Sequence, residues 1–379
     1  MSEAQLAPIR TWLAAPIAHE VSEALERLRR APDVQHVAVM PDVHLSADVC
    51  IGVVVATSRL IYPQAVGGDI GCGMLAVGLD LDSAALNNPR VASQILTGIG
   101  RAVPTRRRNR RAIIAQPEEL ARDTLSHASL ESVRRNEGAL EFATLGSGNH
   151  FIEIQAAEDG RLWLMVHSWS RVLGQAIRDH HLARAKRANN GLRVHEANSV
   201  AGAEYLSDAS YARRYADASR RAMAEEVGRV LTTTLDANLL WETVITTDHN
   251  HVALERHGGR DLWVHRKGAM RARLSESGVL PGSMGSLSFH VEGRGHEGAL
   301  CSSAHGAGRA LSRAAARGKV TERELRRQME GVWYDYRLAD QLRDEAPSAY
   351  KDIRAVLRAQ KELVKVTRTL RPVLNYKGV

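Results

Sequence analysis

Short apolar runs that stop abruptly on a histidine or a glycine-rich polar turn recur from residue 42 to residue 377 of this chain. A strand that ends this way delivers a polar side chain to the rim of a sheet while its own residues stay buried. No internal repeat, low-complexity tract or Pro/Gly/Ser linker separates these segments. The economical reading is one α/β (α+β) domain over residues 1–379, which folds distant loops onto one site.

The element pattern is mixed. Residues 17–31 have helical periodicity, and Val37–Pro41 reads as a buried strand running into a polar turn at Asp42–His44. Residues 51–57 and 74–80 are β-rich, and 162–167 and 261–265 are short strands that each end on a histidine. Residues 207–235 and 347–370 read as long amphipathic helices, and Thr321 to Glu324 matches a capping box. The basic run Arg101–Arg111 reads as a solvated loop or helix edge.

With 379 residues the chain can bury a substantial core without staples. Cys50, Cys72 and Cys301 are too few and too scattered for a disulfide framework. With no signal pattern and no run of about 18 apolar residues, they point to a reducing cytoplasm rather than to export or a membrane. A net charge of +8 suits a polyanionic partner, although arginine-rich composition alone produces the same figure.

Chemistry concentrates in a few segments. Asp69 and Cys72 lie three apart within Gly67–Gly73, and a carboxylate beside a thiolate suits zinc or a transition metal. Gly146-Ser147-Gly148 forms an anion-type turn, with Asn149, His150 and Glu153 directly after it. His167 ends a buried strand ahead of Ser168-Trp169-Ser170-Arg171, and His249 lies in Asp248-His249-Asn250-His251. Arg266 and Lys267 form a candidate phosphate clamp at a strand end. His305 precedes Gly306-Ala307-Gly308, and a helix over Ala310–Ala316 would place it at a helix N-terminus facing phosphate. There is neither a Ser-His-Asp order nor a Walker lysine motif. The residues alone imply metal-assisted chemistry at phosphate and do not specify ligation.

The same segments resemble the RtcB family of tRNA-splicing ligases, in the family's order and across almost the whole chain. They are Met40–His44, Asp69–Gly73, Gly146–Phe151, His167-Ser168 with Ser170-Arg171, His249-Asn250, His265–Gly268, Pro281–Gly285, His305–Arg309, Ala349–Asp352 and Lys377-Gly378. The resemblance implies a β-sandwich core flanked by helices. It implies two Mn²⁺ ions bridged by Cys72, one completed by His150 and His167, the other by Asp69 and His249. His305 would become guanylylated. GTP would be held by Asn149, His150, Phe151, Ile152, Glu153, His249, Asn250, Pro281, Gly282, Ser283, Met284, Ser288, His305, Gly306, Ala307 and Gly308, with Tyr350 and Lys377 near the guanine.

The reaction so implied joins an RNA 2′,3′-cyclic phosphate or 3′-phosphate to a 5′-hydroxyl, as in joining tRNA halves, through transfer of GMP to the 3′-phosphate. Arg171, Lys267, Arg309, Arg313 and Asp42 are candidates for RNA or phosphate electrostatics. The chain departs from the family at Leu45–Cys50, at Gly68 and at Trp169, which replaces a small residue near the expected metal ligands. An RNA-repair or 3′-end-capping paralogue, and a metal-dependent cyclic phosphodiesterase that never ligates, are the alternatives.

Overall fold

Alternation along the strands decides how the layers form. The computed structural model describes residues 6–378. A seven-stranded antiparallel sheet runs in the order Leu239–Asp248, Gly73–Asp82, Arg161–Ser168, Phe151–Ala157, Val364–Lys377, Ser288–Gly293, Ser277–Leu280. Leu75, Val77, Leu79, Ile152, Ile154, Leu164 and Val166 share one face and pack on the helices Pro89–Ala102 and Val200–Leu235. Met74, Ala76, Trp163 and Met165 point the opposite way. The period of two therefore hands every second residue of these strands to the inner face, where the site lies.

A five-stranded sheet runs Ile9–Thr11, Val34–His44, Ile51–Thr57, Arg260–Lys267, Asn250–His257. Val37, Val39, Val53 and Val55 cover the helix His19–Arg29. Ala38, Met40, Val54, Ala56 and Val264 turn inward onto Leu280, Phe289 and Val291 of the larger sheet. Two sheets thus share a core with helices outside, as expected of the α/β sandwich. Full burial of each of the Val, Leu, Met and Phe side chains among them contributes roughly 1.5–3 kcal/mol.

The long helix Val200–Leu235 begins at Ser199, whose hydroxyl accepts from the Gly202 N–H, and it ends where Asp236 turns left-handed. The capping box at Thr321 and Glu324 is present.

Three expectations are corrected. The strand Val34–His44 does not stop at Pro41, because a register irregularity between Val39 and His44 accommodates the proline and carries Asp42 and His44 in extended form. The segment 347–370 is not one helix. A helix covers only Ile353–Ala359, and the chain then enters the strand Val364–Lys377, whose β-branched residues find a sheet to join. The helix after His305 starts only at Arg313, capped by Ser312. Ala310 and Leu311 instead donate to the Ala349 carbonyl.

Candidate active site

His305 directly follows the short strand Ser302–Ala304, which pairs with Ala269–Arg271, so sheet pairing and not a helix dipole positions it. Its Nδ1 lies 2.6 Å from Asp42 Oδ2, and its backbone N–H donates to the same oxygen at 3.2 Å. Asp42 is fully buried, so its carboxylate faces His305 rather than solvent. Gly308 permits this closeness. It has φ +70°, and a Cβ there would lie 2.5 Å from the Asp42 carbonyl oxygen. Lys351 fixes the same stretch by donating to the carbonyls of Pro41 and Val43 at 3.2 and 2.7 Å.

The His305 ring stands 4.6 Å, centroid to centroid, from His249. His249, His167 and Cys72 each offer a donor atom, and these atoms lie within 4.8 Å of one another, all buried. Cys72 Sγ and His167 Nε2 are 3.3 Å apart. His167 Nδ1 meets the Asn149 carbonyl at 3.1 Å, which fixes the tautomer and leaves Nε2 as the ligand atom. Burial pushes His167 down to about 3 and His150 and His249 well below their usual value, so the rings stay neutral. Burial, reinforced by Asp69, pushes the Cys72 thiol up, so a cation is needed to replace its proton. A buried S, N, N set with an ordered outer shell fits a transition-metal centre.

The remaining expected ligands stand around this trio rather than in it. His150 lies 5.4 Å from His167, its Nδ1 buried without a protein partner, and it stacks on Trp169 at 5.7 Å. Trp169 thus packs on an expected ligand. Asp69 is exposed, and its carboxylate faces Lys267 and Arg178.

A cavity of about 260 Å³ opens before His305. It is lined by Asn149, Phe151, Glu153, His167, Pro281, Gly282, Ser283, Met284, Ser288, Gly306, Ala307, Gly308, Tyr350 and Lys377, with His44, Arg309 and Arg313 beside them. Phe151, Glu153 and His167 reach it by strand alternation. The same alternation sends Ile152 into the helix-covered core, so its side chain does not line the cavity. Asn250 is also absent from the lining. Its amide donates to the Val66 carbonyl and accepts from the Gly268 N–H, tying two loops together. A larger cleft of about 580 Å³ contains none of the expected site residues, and its Arg213, Arg214 and Arg271 are ion-paired with Asp248, Asp123 and Glu276.

At the cavity's far side Glu345 gathers cations. It meets Lys377 Nζ at 2.7 Å and Arg313 at 2.6 Å, and it accepts from the Tyr350 hydroxyl at 2.6 Å. Although burial opposes it, Lys377 and Arg313 hold the Glu345 carboxyl below its usual range. No sequence pattern signals this hub. Glu153 accepts from Gln155 and Asn375, both at 2.6 Å, and burial pushes it up to about 8.

The expected cations divide. Arg309 and Arg313 line the cavity while bound to Glu345. Arg171 pairs with Glu141 at 3.5 Å and braces the Gly146 turn. Lys267 is buried, with Ser46 its one hydrogen-bond partner among the described residues, and it faces Asp48 and Asp69. Arg266 is no phosphate clamp, because it is fully buried and forked onto Glu255 at 2.5 and 3.1 Å.

Comparison with known proteins identifies the family of the chain. The family model described as tRNA-splicing ligase RtcB matches residues 24–135 and 118–378. The chain is 36% identical to the RNA-splicing ligase RtcB of Escherichia coli K12, over 98% of both chains. It is 29% identical to RNA-splicing ligase RtcB2 of E. coli ATCC 25922, over 94% of this chain and 91% of the relative. It is 27% identical to RNA-splicing ligase RtcB of Mycobacterium tuberculosis, over 89% of this chain and 96% of the relative. The chain belongs to the RtcB family.

Proposed function

We propose that this chain is a GTP-dependent RNA ligase that joins 2′,3′-cyclic phosphate or 3′-phosphate ends to 5′-hydroxyl ends. The observation that carries this reading is His305, set against buried Asp42 at 2.6 Å and 4.6 Å from His249 on the wall of a cavity of about 260 Å³. Asp42 at Nδ1 leaves Nε2 as the free lone pair, and a neutral imidazole is a competent nucleophile towards phosphorus.

In this reading Nε2 attacks the α-phosphorus of GTP, a P–N bond forms, and pyrophosphate leaves. Water first opens a 2′,3′-cyclic phosphate at its P–O2′ bond to a 3′-phosphate; the GMP then passes from His305 to that 3′-phosphate, and the 5′-hydroxyl of the second RNA displaces GMP as the new phosphodiester forms. Cys72, His167 and His249, joined by His150 and Asp69, would hold Mn²⁺, with Cys72 shared between two ions. The metal supplies charge neutralisation at phosphoryl oxygens during in-line displacement. Lys377, Tyr350 and Glu153 would hold the guanine, while Arg309, Arg313 and Lys267 counter phosphate charge. The free, buried cysteines and the absence among the described residues of a helix long and apolar enough to cross a membrane accord with a cytoplasmic enzyme.

The test is incubation of RNA carrying a 2′,3′-cyclic phosphate and RNA carrying a 5′-hydroxyl with Mn²⁺, with and without GTP. The reading expects joined product that needs GTP and disappears in His305→Ala. Opening of the cyclic phosphate without joining, at equal rate in both proteins, would identify a phosphodiesterase instead.

A further inference from the structure

A second set of metal-type donors lies away from the cavity. His257 ends the strand Asn250–His257, at the opposite end from His249. Glu297 opens a short 3-10 turn, and Cys301 comes just before the strand that delivers His305. One donor atom from each of His257, Glu297 and Cys301 falls within 4.8 Å of the others. His257 Nδ1 lies 3.1 Å from Glu297 Oε2, and Cys301 Sγ lies 3.6 Å from Glu297 Oε1.

The independent observation is on the other side of the ring. His257 Nε2 faces Glu255 Oε2 at 3.2 Å. Glu255 is itself buried and held by the Arg266 fork. A carboxylate behind one imidazole nitrogen, with a second carboxylate before the other and a thiol close by, resembles the arrangement by which proteins orient a metal-bound histidine. Nothing in the RNA reaction uses these groups.

We propose that His257, Cys301 and Glu297 form a second metal site, distinct from the Cys72 centre, for a thiophilic divalent cation such as Zn²⁺. Three protein donors leave one tetrahedral position for water, and thiolate with imidazole selects this class of ion. His257 and Cys301 are buried, whereas the Glu297 side chain is 65% exposed and gives the ion a way in. Arg266 also donates to Ser302 Oγ and to the Leu300 carbonyl, so the site grips the segment leading to His305. A bound ion would fasten this segment to the strand that starts beside His249.

Cobalt(II) titration of the full chain in a Cys72→Ser background tests the proposal, because the Cys72 centre then offers no sulfur. The expected result is a thiolate-to-cobalt charge-transfer band that saturates at one equivalent. The band should vanish when Cys301→Ser is added, and binding should weaken at least tenfold in Glu297→Gln, a surface change that leaves folding intact by circular dichroism. A Cys72→Ser chain with no thiolate band would overturn the site. So would a band that survives Cys301→Ser, which would then come from Cys50.

Discussion

Asp42 and His305 show how one buried contact sets up a nucleophile. With Oδ2 at 2.6 Å from Nδ1, the carboxylate stands where it would stabilise the charge that grows on the imidazole during the proposed attack. Asp42→Asn keeps the shape and removes the charge, so guanylylation should slow by roughly 10²-fold or more while bound metal is unchanged. Single-turnover rates within twofold of wild type would refute this role. Glu153 gives a pH signature. Its carboxyl is pushed up to about 8 in the fold from an ordinary value near 4.5, so the folded chain keeps a proton that the unfolded chain releases. Stability should therefore fall as pH rises from about 4.5 to about 8, and Glu153→Gln should flatten that slope. Urea midpoints for both proteins at pH 5 and pH 8 measure the difference, and parallel profiles would count against the buried acid.

Where elements carry the site, sequence and structure agree unevenly. The strand reaching His167 was legible because a buried apolar run must stop where a polar side chain is needed, whereas the strand read as ending on His265 runs on to Lys267 and keeps His265 inside the sheet. The inward set Phe151, Glu153 and His167 follows from the two-residue period alone, and the same period shows why Ile152 belongs elsewhere. The segment 347–370 misleads because its charges recur at helical spacing, while its true state depends on a partner strand that no local pattern reveals. Glu345 was illegible for a similar reason, since its importance lies in Arg309, Arg313 and Lys377, brought from distant positions, and in nearby Tyr350. Gly378 shows the same dependence. A Cβ there would stand 1.8 Å from the Gly146 carbonyl oxygen, so only glycine lets the last strand's end lie on the Gly146–Gly148 turn. Gly378→Ala should cost roughly 1–3 kcal/mol of stability and weaken GTP binding by displacing Lys377. Unchanged unfolding and nucleotide affinity would mean that the contact is slack.

At the scale of the whole molecule, the site draws on residues from Asp42 to Lys377, contributed by both main sheets and the loops between them. We propose on that basis that residues 1–379 form one folding unit. A single cooperative thermal transition, with the same midpoint by circular dichroism and by fluorescence, is the expected behaviour. Two resolved transitions would divide the chain. Family membership was legible because the motifs that build the site are continuous in sequence. The packed and hydrogen-bonded frame behind them, with Asp42 under His305, Trp169 stacked on His150 and Asn250 bridging Val66 to Gly268, became visible only in three dimensions. The central claim is that His305 becomes the covalent carrier of GMP. Incubation with α-³²P-GTP and Mn²⁺, followed by denaturing electrophoresis, tests it directly. Wild-type protein should retain label that is acid-labile and alkali-stable, as a phosphoramidate is, and His305→Ala should retain none. Label of equal intensity on His305→Ala would contradict the account.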